Sequence, residues 1–366
     1  MIYNMFSYLL STSAGKLVES MVWSVYKVLC RYWYGKTELQ RITQTQLHLF
    51  PFSSNSCFLS TVAVFKCIAT SKQLTSLRTQ ILISHTPIDV EASIVDMETI
   101  KHIKLNRIER ANSMVCLQSI SNINAVIEMA EQTKKRVFCW ENESDFNLIG
   151  RYWTAMFPGV RRQHNKVSAE WGELGFQGSD PSTDFRGMGL LGLIQLEYFA
   201  STQSTRARNV LSESMHPRRY YPFSATGINI TAFVMELLRD NRLHTALIGQ
   251  LERQCLESRS SQMAPNSLLL LATAPSSYDG ACMYADCQSA DELLVQACSV
   301  MHEVYCEVFV AFNDLWVARD PPNIMAFAGV FAEVKSSFRL KYPAVGAGQH
   351  SIADSIARKD MPAAEG

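Results

Sequence analysis

Apolar positions recur at helical spacing along most of the chain. Over residues 16–34, Val18, Met21, Val22, Val25, Leu29 and Tyr32 fall on one side, and Ser20, Ser24, Lys27 and Arg31 on the other. Trp23, Tyr26, Trp33 and Tyr34 add an aromatic edge. Such a helix either lies in a bilayer interface or packs its apolar face on a core, the commoner fate. Cys116, Ile120, Ile123, Ile127 and Ala130 predict a helix over 113–131. Leu148, Ile149, Tyr152, Trp153 and Met156 predict another over 145–157, stopped by Pro158 and Gly159. Shorter helices are expected from Leu190 to Phe199 and from Thr231 to Leu238.

The longest periodic run is 291–318, carried by Leu294, Ala297, Met301, Val304, Val308, Phe312 and Leu315. Pro321 and Pro322 break it, and Ile324, Phe327, Phe331, Val334 and Phe338 predict a last helix. Residues 43–90 are rich in Ser and Thr, and in the run Phe58 to Phe65 period alone does not separate strand from helix. Residues 255–290 lack a sustained period and read as a long inserted loop, with the apolar run Leu268 to Ala272 as the exception. The tail 343–366 is small, polar and expected to be disordered. Strand signals are few and no internal repeat is present. The expected fold is therefore mainly α: a compact multi-helix domain with one irregular Gly-rich segment. The organisation expected is an N-terminal helical region at 1–140, a principal domain at 141–342 and the tail.

Composition narrows the function. Apolar residues make up 47% of the 366, enough for a substantial core, and 34 basic residues balance 34 acidic ones. That neutrality provides no field for nucleic acid. The ten cysteines include no CxxC pair and sit mostly in apolar stretches, as expected in a reducing compartment. Cys282, Cys287 and His302 do not have the spacing of the common structural zinc modules. Met1 to Gly15 lacks the basic region of a secretory signal, and Asn4, Ser7, Ser11, Thr12 and Ser13 interrupt its apolar run. The chain is expected in the cytoplasm, with peripheral membrane contact through residues 1–34 open. The sequons at Asn142 and Asn229 are then chance matches, or helix-entry chemistry for Asn229.

Residues 171–196, WGELGFQGSDPSTDFRGMGLLGLIQL, are unlike the rest. Gly175, Gly178, Gly187 and Gly189 permit backbone shapes closed to other residues. Asp180 before Pro181 should start a turn. Thr183 or Asp184 is placed to cap the following helix. Arg186 then falls near that helix's first turn, where the dipole disfavours a cation. It is either paired with Asp180 or Asp184, locking the turn, or offered to a transferring phosphate.

The stretch resembles the signature of the ELMO-domain family: W-x3-G-F-Q-x3-P-x-T-D-F-R-G-x-G-x3-L-x2-L. Trp171, Gly175, Phe176, Gln177, Pro181, Thr183, Asp184, Phe185, Arg186, Gly187, Gly189, Leu193 and Leu196 all fit. Gly35-Lys36 with Glu38 to Ile42, His216-Pro217, Gly227 to Asn229 and Phe312 to Trp316 look similar to further blocks of its stand-alone branch. The resemblance implies a GTPase-activating protein for Arf and Arf-like GTPases, with Arg186 as the arginine finger. It implies no cofactor of the chain's own, because GTP and Mg²⁺ belong to the partner GTPase. The other motif residues would pack, shape turns or contact the partner. The alternative within the family is a non-catalytic scaffold that binds a GTPase or a DOCK-like exchange factor.

Tyr34-Gly35-Lys36-Thr37 ends like a phosphate-binding loop, but Cys30 stands where that loop requires its first glycine. No GxSxG or HExxH motif occurs, and His216, before Pro217, reads as structural.

Overall fold

The computed structural model describes residues 35–44, 54–160, 166–251 and 290–345, together with scattered positions of 21–33; for 54–60 and 290–297 it describes the backbone alone. Among the described residues every regular element is helical and there is no strand. The sequence-based expectations for 346–366, for nearly all of 255–290, and for Cys282 and Cys287 lie outside the described residues. The chain divides into two compact units. The first comprises Met1–Asn122, Leu251–Gln288 and Val345–Gly366, and the second Ile123–Gln250 and Ser289–Ala344.

In the first unit, α1 (Glu38–Thr43) opens on a capping box: Thr37 accepts from Gln40 N while the Gln40 side chain accepts from Thr37 N. α2 (Ser54–Ala69) follows. It resolves the ambiguity at Phe58 to Phe65 as helix. Val62, Val64, Phe65, Cys67, Ile68 and Ala69 are all buried, so no polar face marks the period. α3 (Thr75–Thr79) runs into a π-helical turn, Gln80–Ser84, that ends at His85 in the left-handed region (φ 50°). α4 (Val90–Lys101) is capped by Asp89. The long α5 (Arg107–Lys135) begins in this unit. Lys36, the residue that mimics a phosphate-loop lysine, places Nζ 2.9 Å from the buried carboxylate of Glu109. The Asn112 amide donates to Thr43 O at 2.7 Å, which ties α1 to α5.

The second unit is built around α7 (Gly189–Thr202). Leu190, Leu191, Leu193, Leu196, Phe199 and Ala200 bury it nearly all round, the mark of a core helix. α6 (Glu143–Met156), α8 (Ser204–Ser214), α9 (Phe223–Arg239) and α10 (Ala290–Arg319) pack on it. α11 (Phe327–Lys341) packs on α10. Asn142 is the N-cap of α6, accepting from Ser144 N and Asp145 N. α9 starts earlier than its apolar pattern suggests, because Ser224, Thr226 and Gly227 are buried as well. At Gly227 an added Cβ would lie 2.5 Å from both Leu196 Cδ2 and Tyr305 Oη, so the absent side chain lets α7, α9 and α10 approach. Asn229 therefore sits inside the helix, its amide bonding Ala225 O, and not at a helix entry as one sequence reading had it.

Ahead of α9, the Tyr221 hydroxyl donates to Asn313 (2.8 Å) and the Trp316 indole N–H to Arg219 O (2.8 Å), which pins the segment to α10. His216 Nδ1 accepts from Arg218 N at 3.3 Å, a local turn contact. His302 packs its ring against Tyr198, tilted, with centroids 4.8 Å apart, and burial pushes its imidazole down to about 4. No group of His, Cys, Asp or Glu able to hold a metal ion occurs among the described residues.

Candidate functional site

Two short 3₁₀ turns, Ala169–Leu174 and Pro181–Arg186, carry the Gly-rich motif between α6 and α7. The first is capped by Ser168 and stops at Gly175 in the left-handed region (φ 73°). A Cβ on Gly175 would come within 2.2 Å of Phe223 N. Its carbonyl accepts from Ala225 N at 3.3 Å, so the motif backbone rests directly on the start of α9. Leu174 O accepts from the Ser224 hydroxyl, which is itself bonded to the Tyr152 hydroxyl. Tyr152 is fully buried, and burial raises its pKa well beyond the ordinary value, so it stays neutral.

The second turn begins on Asp180, in extended conformation, with Pro181 at the first turn position. Asp180 Oδ1 accepts from Ser182 N (3.0 Å) and from the Trp140 indole N–H (3.1 Å). Burial raises this carboxyl's pKa, but the bonds from Ser182 and Trp140 outweigh it and hold the group below its usual value. Neither Thr183 nor Asp184 caps the next helix. Thr183 Oγ1 donates back to Asp180 O at 2.8 Å, and Asp184 Oδ2 accepts from Gln177 N at 2.8 Å. The N-cap of α7 is Met188, which makes no side-chain cap. The sequence expectation fails because a separate turn intervenes and takes up both polar side chains. Partial burial raises the Asp184 carboxyl, against the Gln177 bond and the pull of Arg186.

Arg186 closes this turn, three residues before α7 begins. It is thus at the C-terminal end of a helical turn, where a cation is favoured, and not in the first turn of α7. Its Nε donates to Thr183 O at 2.9 Å. Among the described residues no carboxylate lies within ion-pair distance, so the lock to Asp180 or Asp184, one of the two sequence readings, is not formed. The side chain is exposed. Nε is anchored on the turn's own backbone, and the two terminal nitrogens have no partner among the described residues.

Beneath the turn lies an aromatic cluster. Trp171, Phe176 and Phe185 are buried. Phe185 touches Phe138 (5.5 Å) and Phe176 (5.6 Å), and Trp171 touches Trp140 (5.9 Å) and Trp153 (5.8 Å). These pairs are edge-on or tilted, the arrangement aromatic quadrupoles favour. Pro181, Gly175 and Gly189 are also buried, while Gln177, Gly178, Thr183, Arg186 and Gly187 are exposed and Asp184 is intermediate. The motif thus divides into a packed underside and a polar upper side that carries one cation.

The connection between α5 and α6 seats the motif, a role with little local signal in the chain. A Cβ on Gly189 (φ 51°) would lie 2.1 Å from Lys134 O and 2.5 Å from Arg136 O. Leu190 N donates to Arg136 O at 2.8 Å. The connection is fixed in turn by Asp145, buried, which accepts from Arg136 at 2.5 Å and from Cys139 N at 3.1 Å. Val137, between these groups, is 79% exposed. The only cue in the sequence was a cation ending one helix and an Asp in the first turn of the next.

The ELMO/CED-12 family matches residues 128–331. ELMO domain-containing protein B of Dictyostelium discoideum is 34% identical over 220 residues, covering 59% of this chain and 74% of that one. Human ELMO domain-containing protein 2 is 30% identical over 213 residues, 58% of each chain. ELMO domain-containing protein 1 of Pongo abelii is 25% identical over 342 residues, covering 87% of this chain and 86% of that one. No solved structure matches significantly. The family match covers more than half of the chain and takes in every motif residue described above; the chain belongs to the ELMO/CED-12 family.

Proposed function

We propose that this chain is a GTPase-activating protein for an Arf or Arf-like small GTPase in its GTP form, with Arg186 as a trans arginine finger. The observation that carries the reading is the state of Arg186: exposed, anchored only through Nε to Thr183 O, with the rest of its fork unpaired among the described residues. In phosphoryl transfer, charge spreads over the γ-phosphate oxygens. A guanidinium inserted in trans is worth ~10³–10⁵ in rate, or roughly 4–7 kcal/mol of barrier. Its planar fork holds two oxygens at once, which an ammonium does not. Nucleotide and Mg²⁺ are the partner's. The exposed Gln177, Thr183, Gly187 and Val137 form the rim that meets the GTPase, and the aromatic cluster keeps the turn rigid. The protein works in the cytoplasm, at the surface of an organelle membrane.

The test is single-turnover GTP hydrolysis by a pre-loaded Arf-like GTPase. The parent chain should accelerate it, and Arg186→Ala and Arg186→Lys should each remove the acceleration without changing thermal stability. Variants as active as the parent would end the finger reading. A parent that binds the GTPase without stimulating it would leave a scaffold in its place.

A further inference from the structure

We infer that the stretch 21–33, helical at its described positions, is a lipid-binding element that lies flat on an anionic bilayer surface. This rests on the exposure of its apolar side and is independent of the reading of Arg186. The described positions of this stretch are helical. Met21, Val25, Val28, Leu29, Tyr32 and Trp33 are between 43% and 83% exposed. At 100° per residue they fall within an arc of about 140°, one continuous apolar stripe. A stripe packed on a core would be buried along its length; this one faces solvent.

The occupant follows from length, charge and side-chain type. Counted from Val18 to Trp33, the stripe is little more than two heptads long. A self-associating coiled coil needs about three or four. Residues 1–34 contain Lys16, Lys27 and Arg31 against the single carboxylate Glu19. By spacing, those three cations fall opposite the stripe. Cations across from a Val/Leu/Met face, with Tyr and Trp at one end, are the pattern of a helix seated between headgroups and acyl chains. Lys16, Glu19, Lys27 and Arg31 keep every apolar run here well short of the ~18 residues of a spanning helix, which suits a surface element.

The experiment is co-sedimentation of the full chain with phosphatidylcholine vesicles, with and without phosphatidylserine. The parent should sediment with the anionic vesicles, less so with neutral ones or at high salt. Val25→Asp with Leu29→Asp, and separately Tyr32→Ser with Trp33→Ser, should weaken binding by about tenfold or more. These side chains are exposed, so melting temperature and far-UV circular dichroism should not change. Arg186→Ala should sediment like the parent. A parent that stays in the supernatant, or stripe variants that bind as the parent does, would overturn the inference. So would a stripe-dependent dimer by analytical ultracentrifugation with vesicle binding unaltered.

Discussion

The carboxylate of Asp184 accepts from the backbone N–H of Gln177 at 2.8 Å, while Arg186 donates through Nε to Thr183 O and, among the described residues, forms no ion pair. That bond closes a loop of the motif on itself and separates two tasks that the sequence placed side by side. Asp184 shapes the backbone, and Arg186 remains available to a partner. Asp184→Ala should therefore cost about 0.5–1 kcal/mol, because an exposed backbone N–H exchanges its carboxylate acceptor for water. It should also reduce GTPase stimulation, since the turn that presents Arg186 loosens. Denaturant unfolding and single-turnover hydrolysis check the two effects separately. Stimulation unchanged in a destabilised variant would mean that turn geometry does not limit the finger.

The glycines of the motif should behave oppositely to one another. Gly175→Ala and Gly189→Ala each place a methyl group against backbone, 2.2 Å from Phe223 N and 2.1 Å from Lys134 O, at positive φ. Left-handed strain and overpacking together predict a loss of roughly 3 kcal/mol or more. Gly187 has φ −81° and open space where a Cβ would go, so Gly187→Ala should leave the melting temperature nearly unchanged. Thermal melts of the three variants decide this.

Trp140→Phe keeps a ring beside Trp171 but removes the N–H that reaches Asp180. The expected stability loss is about 1 kcal/mol. The acid side of the stability curve should change too. Asp180 has a folded pKa below its unfolded one, so its contribution is present above the unfolded value and is lost as pH falls through the folded one. Losing one of the bonds that lower it should shrink that acid-dependent part. Stability measured between pH 5 and pH 2 in both proteins is the check.

His302 gives a second pH signature. Its folded value, about 4, lies below the ordinary 6.5, so the unfolded chain binds the proton more tightly. Stability from this group is complete above 6.5 and is lost as pH falls from 6.5 to about 4. His302→Phe keeps a ring against Tyr198 and should flatten the curve in that window.

Val137 is exposed at the rim of the site while its neighbour Phe138 is buried against Phe185. Val137→Asp should leave stability within about 0.5 kcal/mol of the parent. It should raise the concentration of protein needed for half-maximal GTPase stimulation, with the maximal rate kept. A lowered maximal rate at unchanged half-maximal concentration would place Val137 outside the docking surface.

The helical class was legible because apolar spacing records which face a helix buries. α5, α6, α10 and α11 each show a stripe in the sequence. The motif with Arg186 was legible because glycines, an Asp-Pro and an arginine at fixed spacing are local chemistry. α2 was not legible as a helix: with buried residues all round it, no polar face marks the period. The distant partners of Asp180 and Gly189 were hidden for a different reason. Trp140, Lys134 and Arg136 lie 40 to 55 positions away along the chain, and nothing local encodes a contact that exists only once α5, α6 and α7 have packed. The chain by itself determined which side chains could do chemistry. Packing decided which of them were used up as bonds in the turn, and that Arg186, anchored by one nitrogen, was left exposed.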